Sequence, residues 1–303
     1  MGAGKVLVTG ASGQIGTELV EALRARNGAD GVIATDIRAG PNVRKLDVMD
    51  LDAMMALVGE EGVDVIYHLA ALLSATGEKN PDLCWQINLG GTENVVAVAK
   101  AHGCRVFCPS SIAVFGPDCP DVAPQVTPLN PTTVYGKTKV AGEHLALTSG
   151  VDMRGLRYPG LISYKAPAGG GTTDYAVEIF SAALETGHYT CFVREDTRLP
   201  MMYMDDAIRA TLEVMDAPLD ALSDARGGYN VAGCSFTAGE LVASMRRHLP
   251  DFTVEYAPDV RQNYADSWPD AVEDDVARRD WGWMPQFDLD AMVDAMFAGL
   301  RAD

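Results

Sequence analysis

The sequence of 303 residues is short of positive charge: 24 Lys and Arg stand against 42 Asp and Glu, a formal net charge of −18 at pH 7. That balance argues against nucleic acid or an anionic membrane as the main partner. An anionic ligand would have to be held by local backbone amides or a few basic groups, against the general field. No apolar run approaches the ~18 residues needed to cross a bilayer. Lys5-Val-Leu-Val-Thr9 begins almost at once and leaves no room for a signal or transit peptide, and Met1-Gly2 lacks the Ser or Thr at residue 6 that myristoylation needs. A soluble, cytoplasmic protein is expected. The six cysteines (84, 104, 108, 119, 191 and 234) contain no CxxC pair. Cys104 and Cys108 fall at either end of an expected strand, roughly 13 Å apart and too far to share a metal. The five histidines are scattered singly. Buried thiols in a reducing compartment, and no metal site, are the reading. Repeats, low-complexity tracts and disordered linkers are also missing. What remains is ordinary globular composition, 48% hydrophobic and 22% charged, in a chain long enough for one large domain and a smaller one.

Val6–Thr9 is a short β-branched run, followed by Gly10-Ala-Ser-Gly13-Gln-Ile-Gly16 and an amphipathic stretch to Arg26. That order reads as strand, glycine turn, helix. Gly10 permits the turn, Gly13 lets a pyrophosphate approach the backbone, and Gly16 lets the helix pack on the strand. The helix N-terminus then offers free amides to the phosphates. A second strand, Val32–Thr35, ends at Asp36, 36 − 16 = 20 residues past the last glycine. A carboxylate there accepts from the ribose hydroxyls and repels a 2′-phosphate, which favours NAD over NADP. Val43–Val48 reads as a third strand carrying Asp47 and Val48 to its end, where they would seat the adenine; Asp47 could equally cap the next helix. Val63–Leu69 is the fourth strand and ends in Ala70-Ala71, small residues where a backbone passes a cofactor closely. Ser74 lies just beyond. A helical pattern then runs from Pro81 to about His102 with Asn88 in its middle, a position that reads as surface or backbone-bonding, with a kink or a site role as the alternative.

Arg105–Pro109 is the fifth strand and delivers Ser110 and Ser111 to its carboxyl end, where open α/β sheets bind ligands. Tyr135-Gly-Lys-Thr-Lys139 follows, inside a helix expected over Val134–Leu147. Four residues is about one helical turn, so the Tyr135 hydroxyl and the Lys139 ammonium share a face. A free phenol, with a pKa near ~10, is a poor base at neutral pH. A nearby ammonium and a positively charged nicotinamide would lower it; roughly 2–3 units need about 3–4 kcal/mol of differential stabilisation. Strand Met153–Tyr158 closes a doubly wound parallel sheet of alternating strands and helices.

After Tyr158 the pattern changes. Ala166-Pro-Ala-Gly-Gly-Gly171-Thr-Thr-Asp174 is a glycine loop opening a helix over Tyr175–Leu184 with Thr/Asp cap chemistry. Its amides and threonine hydroxyls could receive a substrate carboxylate, or the glycines could form only a turn and Thr173 only a cap. Residues 1–160 are expected to form the NAD-binding domain, with a return segment near 199–216. Residues 161–303 would be mainly the substrate-binding lobe.

A GxxGxxG turn, an acid 20 residues on, a strand-end Ser and a YxxxK helix together resemble the extended short-chain dehydrogenase/reductase superfamily. Within it, Gly10–Glu18, Ala70–Ala75, Ser110–Pro117, Arg157–Ser163, Gly169–Tyr175, Pro200–Asp206 and Asp266–Pro269 are similar to the L-threonine 3-dehydrogenase family. The filling of the YxxxK motif and a shortened Thr148–Gly150 are small departures from that pattern. The resemblance implies an α/β fold, a doubly wound parallel Rossmann sheet with a smaller C-terminal α+β substrate lobe. It implies NAD as cofactor and L-threonine as a small-molecule substrate, oxidised at C3 to 2-amino-3-oxobutanoate in threonine catabolism without a metal. A homodimer is expected with it. Tyr135 would be the general base, Lys139 would bind the nicotinamide ribose, and Ser111 would bond the reacting oxygen. Cofactor contacts would come from Gly10, Gly13, Gln14, Ile15, Gly16, Asp36, Ile37, Arg38, Asp47, Val48, Leu69, Ala70, Ala71, Asn88, Tyr158 and Leu161. Ser74, Gly171, Thr172, Thr173 and Trp268 would line the substrate pocket with Ser111 and Tyr135. A nucleotide-sugar epimerase or dehydratase would share the first domain, and a non-catalytic NAD sensor would share the fold without needing Tyr135, Lys139 and Ser111 together.

Overall fold

Strands β1 (Lys5–Thr9), β2 (Val32–Asp36) and β3 (Arg44–Lys45) alternate with helices α1 (Gln14–Asn27) and α2 (Leu51–Glu61) in the computed structural model, which describes residues 4–166 and 169–302. The myristoylation reading of Met1-Gly2, and Pro167 and Ala168 of the glycine loop, lie outside those residues. Next come β4 (Val63–His68), α3 (Ser74–Lys79), α4 (Pro81–Trp85), α5 (Gly91–His102), β5 (Arg105–Phe107), β6 (Ser110–Ser111), β7 (Val122–Ala123), α6 (Val134–Thr148) and β8 (Met153–Arg154). The main sheet has strand order β3-β2-β1-β4-β5-β8 and every pairing in it is parallel. A parallel sheet is covered on both faces, and β1 shows how. Val6 and Val8 point into the core shared with α1, while Leu7 points to the opposite core with Met54 and Val58 of α2 and Val95 of α5.

Three local outcomes differ from the sequence expectation, each for a visible reason. The third strand shrinks to Arg44–Lys45 because the chain turns at once: Met49 N donates to Asp47 Oδ1, and Asp50, rather than Asp47, caps α2 through Ala53 N. The Pro81–His102 helix contains a π-helical turn over Gln86–Gly90. It centres on buried Asn88, whose side chain clamps both main-chain groups of Leu72 and reaches Thr138 Oγ1 at 3.2 Å. The expected strand Met153–Tyr158 breaks at Gly155, where a Cβ would lie 2.5 Å from Gly227 O and 2.7 Å from Cys108 O. Beyond it the chain leaves the main sheet and β9 (Leu156–Tyr158) pairs with β6.

The remaining elements are β10 (Gly160–Ile162), α7 (Tyr175–Thr186), β11 (His188–Cys191), β12 (Arg198–Tyr203), α8 (Met204–Asp216), β13 (Tyr229–Asn230), β14 (Cys234–Thr237), α9 (Ala238–Met245), β15 (Thr253–Tyr256), α10 (Arg261–Ala265), β16 (Ala271–Val272), α11 (Asp275–Trp281) and α12 (Leu289–Ala302). A small sheet, β10-β12-β14, backs onto a second core of α7, α9 and α12. The segment near 199–216 is divided between the two bodies. β12 pairs in the small sheet, whereas α8 packs on α1, and Met202, Met204 and Ala207 join the first core. Tyr229, Val231 and Trp283 join that core as well, so the domains interleave. Among the described residues no helix is long and apolar enough to cross a membrane. All six cysteines are free thiols, with Cys84, Cys104 and Cys191 buried.

A buried ion pair pins β9 to α6. Arg157 donates to Glu143 twice, Nε to Oε1 at 2.9 Å and Nη2 to Oε2 at 2.8 Å, and its other amine reaches Asn230 Oδ1 and Gln125 O. Removing one partner of such a pair strands a buried charge, at a cost of about 3–5 kcal/mol. Glu143→Leu should therefore lose about 3 kcal/mol or more in urea unfolding of the cofactor-free protein. A loss under about 1 kcal/mol would mean that Arg157 is not left as a buried uncompensated charge.

Candidate active site

The site forms where the strand order reverses, between the carboxyl ends of β1 and β4. Gly10 turns there with φ +69°, and a Cβ on it would lie 2.7 Å from Ala70 N. A Cβ on Gly16 would lie 2.2 Å from Gly10 O, so Gly16 serves the packing of α1 beneath the turn rather than the cleft. Among the described residues no side chain caps the start of α1, which leaves its first amides for a ligand. Asp36 accepts from Ser12 N at 3.1 Å and from Arg38 N at 3.4 Å, so its carboxylate also fastens the glycine turn to the end of β2.

A cleft of about 480 Å³ opens over this turn, lined by Gly10, Gly13, Asp36, Ile37, Asp47, Val48 and Leu69–Ala71, and also by Gln86 and Ile87, which the sequence reading had passed over. It adjoins a smaller cleft of about 140 Å³, the two sharing Leu69 and Ala71. The smaller cleft brings together Gln14, Ile15, Ser74, Ser111, Tyr135, Lys139, Tyr158, Leu161, Gly171, Thr172, Thr173 and Trp268. Residues far apart in the chain thus line one cleft. Gly16, Arg38 and Asn88 line neither cleft. Asn88 instead holds the Leu72 loop that forms the wall between them. Tyr158 directs its hydroxyl away, to Thr211 Oγ1 and the Ala207 carbonyl.

Helix α6 carries Tyr135 and Lys139 to the cleft. Thr133 Oγ1 accepts from Gly136 N at 3.0 Å as its cap. Glu78 of α3 accepts from Val134 N at 2.7 Å and Tyr135 N at 3.2 Å, a support with no local sequence signal. Lys139 Nζ donates to Pro109 O at 2.8 Å and lies 5.5 Å from the Tyr135 ring centroid. Ser111 Oγ accepts from Ala113 N, so its own proton is free for another acceptor. Nearby His68 is fully buried and donor or acceptor to Thr9 Oγ1; burial and the Lys139 charge push its imidazole down to about 3, which keeps it neutral.

The glycine loop differs from expectation. Asp174 Oδ2 accepts from Gly170 N and Gly171 N, both at 2.7 Å, so these amides are taken by the chain's own carboxylate. Thr173 does not cap α7: Asp174 occupies that position, without a side-chain cap bond. Thr172 Oγ1 is a buried polar atom in the wall of the smaller cleft, without a hydrogen-bond partner among the described residues. Asp174 is the only carboxylate and Lys139 the only cation among the described residues lining that cleft. Burial raises the Asp174 carboxyl above its ordinary range, with the two amides pulling it back. Among the described residues no group of three or more His, Cys, Asp or Glu side chains is placed to hold a metal ion.

The model of the NAD-dependent epimerase/dehydratase family matches residues 6–232, most of the chain. The chain belongs to this family. NAD is its cofactor, and the glycine cradle, the uncapped helix start and Asp36 fit that dinucleotide. As a family member it is an NAD-dependent oxidoreductase with the parallel Rossmann-like sheet. An uncharacterized epimerase/dehydratase of Staphylococcus aureus is 46% identical over 98% of this chain and 97% of its own. A GalE-like L-threonine dehydrogenase from Cupriavidus necator, in its holo form, is 50% identical with a TM-score of 0.95, over 98% of this chain and 99% of its own. A monomeric L-threonine 3-dehydrogenase from a metagenome is 52% identical with a TM-score of 0.95, over the same shares.

The position of Asp36 generates a binding prediction. The native protein should bind NADH at least ~100-fold more tightly than NADPH, and Asp36→Ala should narrow that ratio below ~10-fold while weakening NADH. Fluorescence titration measures both, and equal native affinities would contradict the assignment.

Proposed function

We propose that this family member is an L-threonine 3-dehydrogenase, oxidising the C3 hydroxyl of L-threonine to 2-amino-3-oxobutanoate in threonine catabolism. The observation that carries the reading is the smaller cleft. At about 140 Å³ it is well below the ~300–1,000 Å³ that drug-sized ligands occupy, and part of it must take the nicotinamide. So small a cleft favours an amino acid over a nucleotide sugar. The lining also suits a zwitterion. Asp174 faces an ammonium, while the Thr172 and Ser74 hydroxyls face a carboxylate that the surrounding acidic protein would otherwise repel. The names of the solved relatives point to the same substrate.

When bound, NAD supplies the hydride acceptor. Tyr135 takes the proton of the C3 hydroxyl as general base. Lys139, fixed by Pro109 O, keeps a positive charge beside that phenol and toward the nicotinamide ribose. Ser111 donates its free proton to the reacting oxygen and steadies the developing negative charge. The first domain holds the dinucleotide and the C-terminal lobe closes over the amino acid, with Trp268 excluding water. A cytoplasmic homodimer is the expected working form; a sedimentation measurement giving one chain per particle would match the monomeric relative instead.

Threonine-dependent reduction of NAD, followed by absorbance, tests the reading. Tyr135→Phe should lower turnover roughly 10²–10⁴-fold with NADH affinity unchanged, and near-native turnover would remove Tyr135 as the base. Thr172→Val deletes the unpartnered hydroxyl at constant shape. It should lower kcat/KM for threonine by roughly 10–100-fold, and an unchanged value would move the carboxylate elsewhere.

A further inference from the structure

Two of the sequence blocks noted above end on residues that the reaction does not use, Glu18 and Ser163. They meet. Both are buried, and the Ser163 hydroxyl donates to Glu18 Oε1 while its oxygen accepts from Lys165 N at 3.0 Å. The contact is one of a row. Gln14, Glu18 and Glu21 lie along one face of α1. Opposite them run Leu161, Ser163 and Lys165, alternate residues of the chain leaving β10. Gln14 Nε2 donates to Leu161 O at 3.3 Å, and Lys165 Nζ donates to Glu21 Oε2 at 2.8 Å. The intervening residues face the other way: Ile162 is buried in the second core, and Tyr164 lies against Gly299 of α12.

This strap therefore has one edge on the cofactor helix and the other on the C-terminal lobe. Its first residue, Leu161, lines the smaller cleft, as does Gly160 just before it. An apolar contact could join the two bodies at lower desolvation cost. A buried carboxylate bonded to one hydroxyl fixes a register as well.

We propose that Glu18 is a positioning residue: through Ser163 it ties α1 to the 161–166 strap and so sets the substrate end of the cleft relative to the bound dinucleotide. The proposal rests on the threonine reading of that cleft, so its test needs one measurement independent of threonine. Ser163→Ala and Glu18→Ala should raise the threonine KM by about 5–50-fold, with kcat within ~3-fold and NADH affinity within ~2-fold of native. Glu18→Gln keeps an acceptor for Ser163 and should return KM to within ~3-fold of native. In parallel, hydrogen exchange of peptides covering 161–166 is followed with and without NADH. The native chain should gain protection there on binding NADH, and Ser163→Ala should lose at least about half of that gain. An unchanged KM with only a lowered melting temperature, or NADH-induced protection equal in native and variant proteins, would overturn the proposal. If native protein leaves threonine untouched but the exchange difference is present, the substrate reading fails and the coupling stands.

Discussion

The close approach of Gly10 to Ala70 is the constraint on which the rest of the site depends. The main sheet reverses its strand order between β1 and β4, and their connections leave to opposite faces. A cleft can open between them only if the turn after β1 lies flat against the end of β4. With Ala70 N only 2.7 Å from where a Cβ would stand, no side chain fits at residue 10. The same turn receives the packing of Gly16 from below and the Asp36 carboxylate from the side. Dinucleotide binding and sheet packing are therefore satisfied by one piece of backbone.

The other half of the site is an electrostatic arrangement inside a strongly acidic protein. Lys139 is held by a neutral carbonyl rather than by a carboxylate, so its charge stays available to the cleft. The buried guanidinium of Arg157 is matched by Glu143 and contributes no net charge. Asp174 spends one oxygen on glycine amides, which orders the loop before substrate arrives. The result is a small pocket with one cation and one carboxylate among its described lining residues, the pattern on which the proposal of a zwitterionic substrate rests.

Much of this was legible in the sequence where a signal is local. The β-branched run, the spaced glycines and Asp36 announce their own geometry, and Tyr135 and Lys139 share a helix face by periodicity alone. Tertiary partners carry no such signal. The Gly170 and Gly171 amides looked free until Asp174 folded back onto them, and the Tyr135 amide is supported by Glu78, more than fifty residues away. Asn88 reads as a surface or backbone-bonding residue, with a kink or a site role as the alternative; its partner, the Leu72 loop across from the π turn, has no signal in the sequence. Strand β12 was expected to return to the first domain together with α8, yet it pairs with β10 and β14. Periodicity predicts which face is buried, and not against which sheet.

The central claim is that hydride leaves C3 of threonine for NAD inside the smaller cleft. Incubation with NAD and L-threonine deuterated at C3, followed by mass analysis of the nicotinamide product, tests it most directly. The account predicts reduced NAD carrying the deuterium together with a ketone at C3. Reduced NAD without deuterium, or turnover of a nucleotide sugar with threonine untouched, would contradict it.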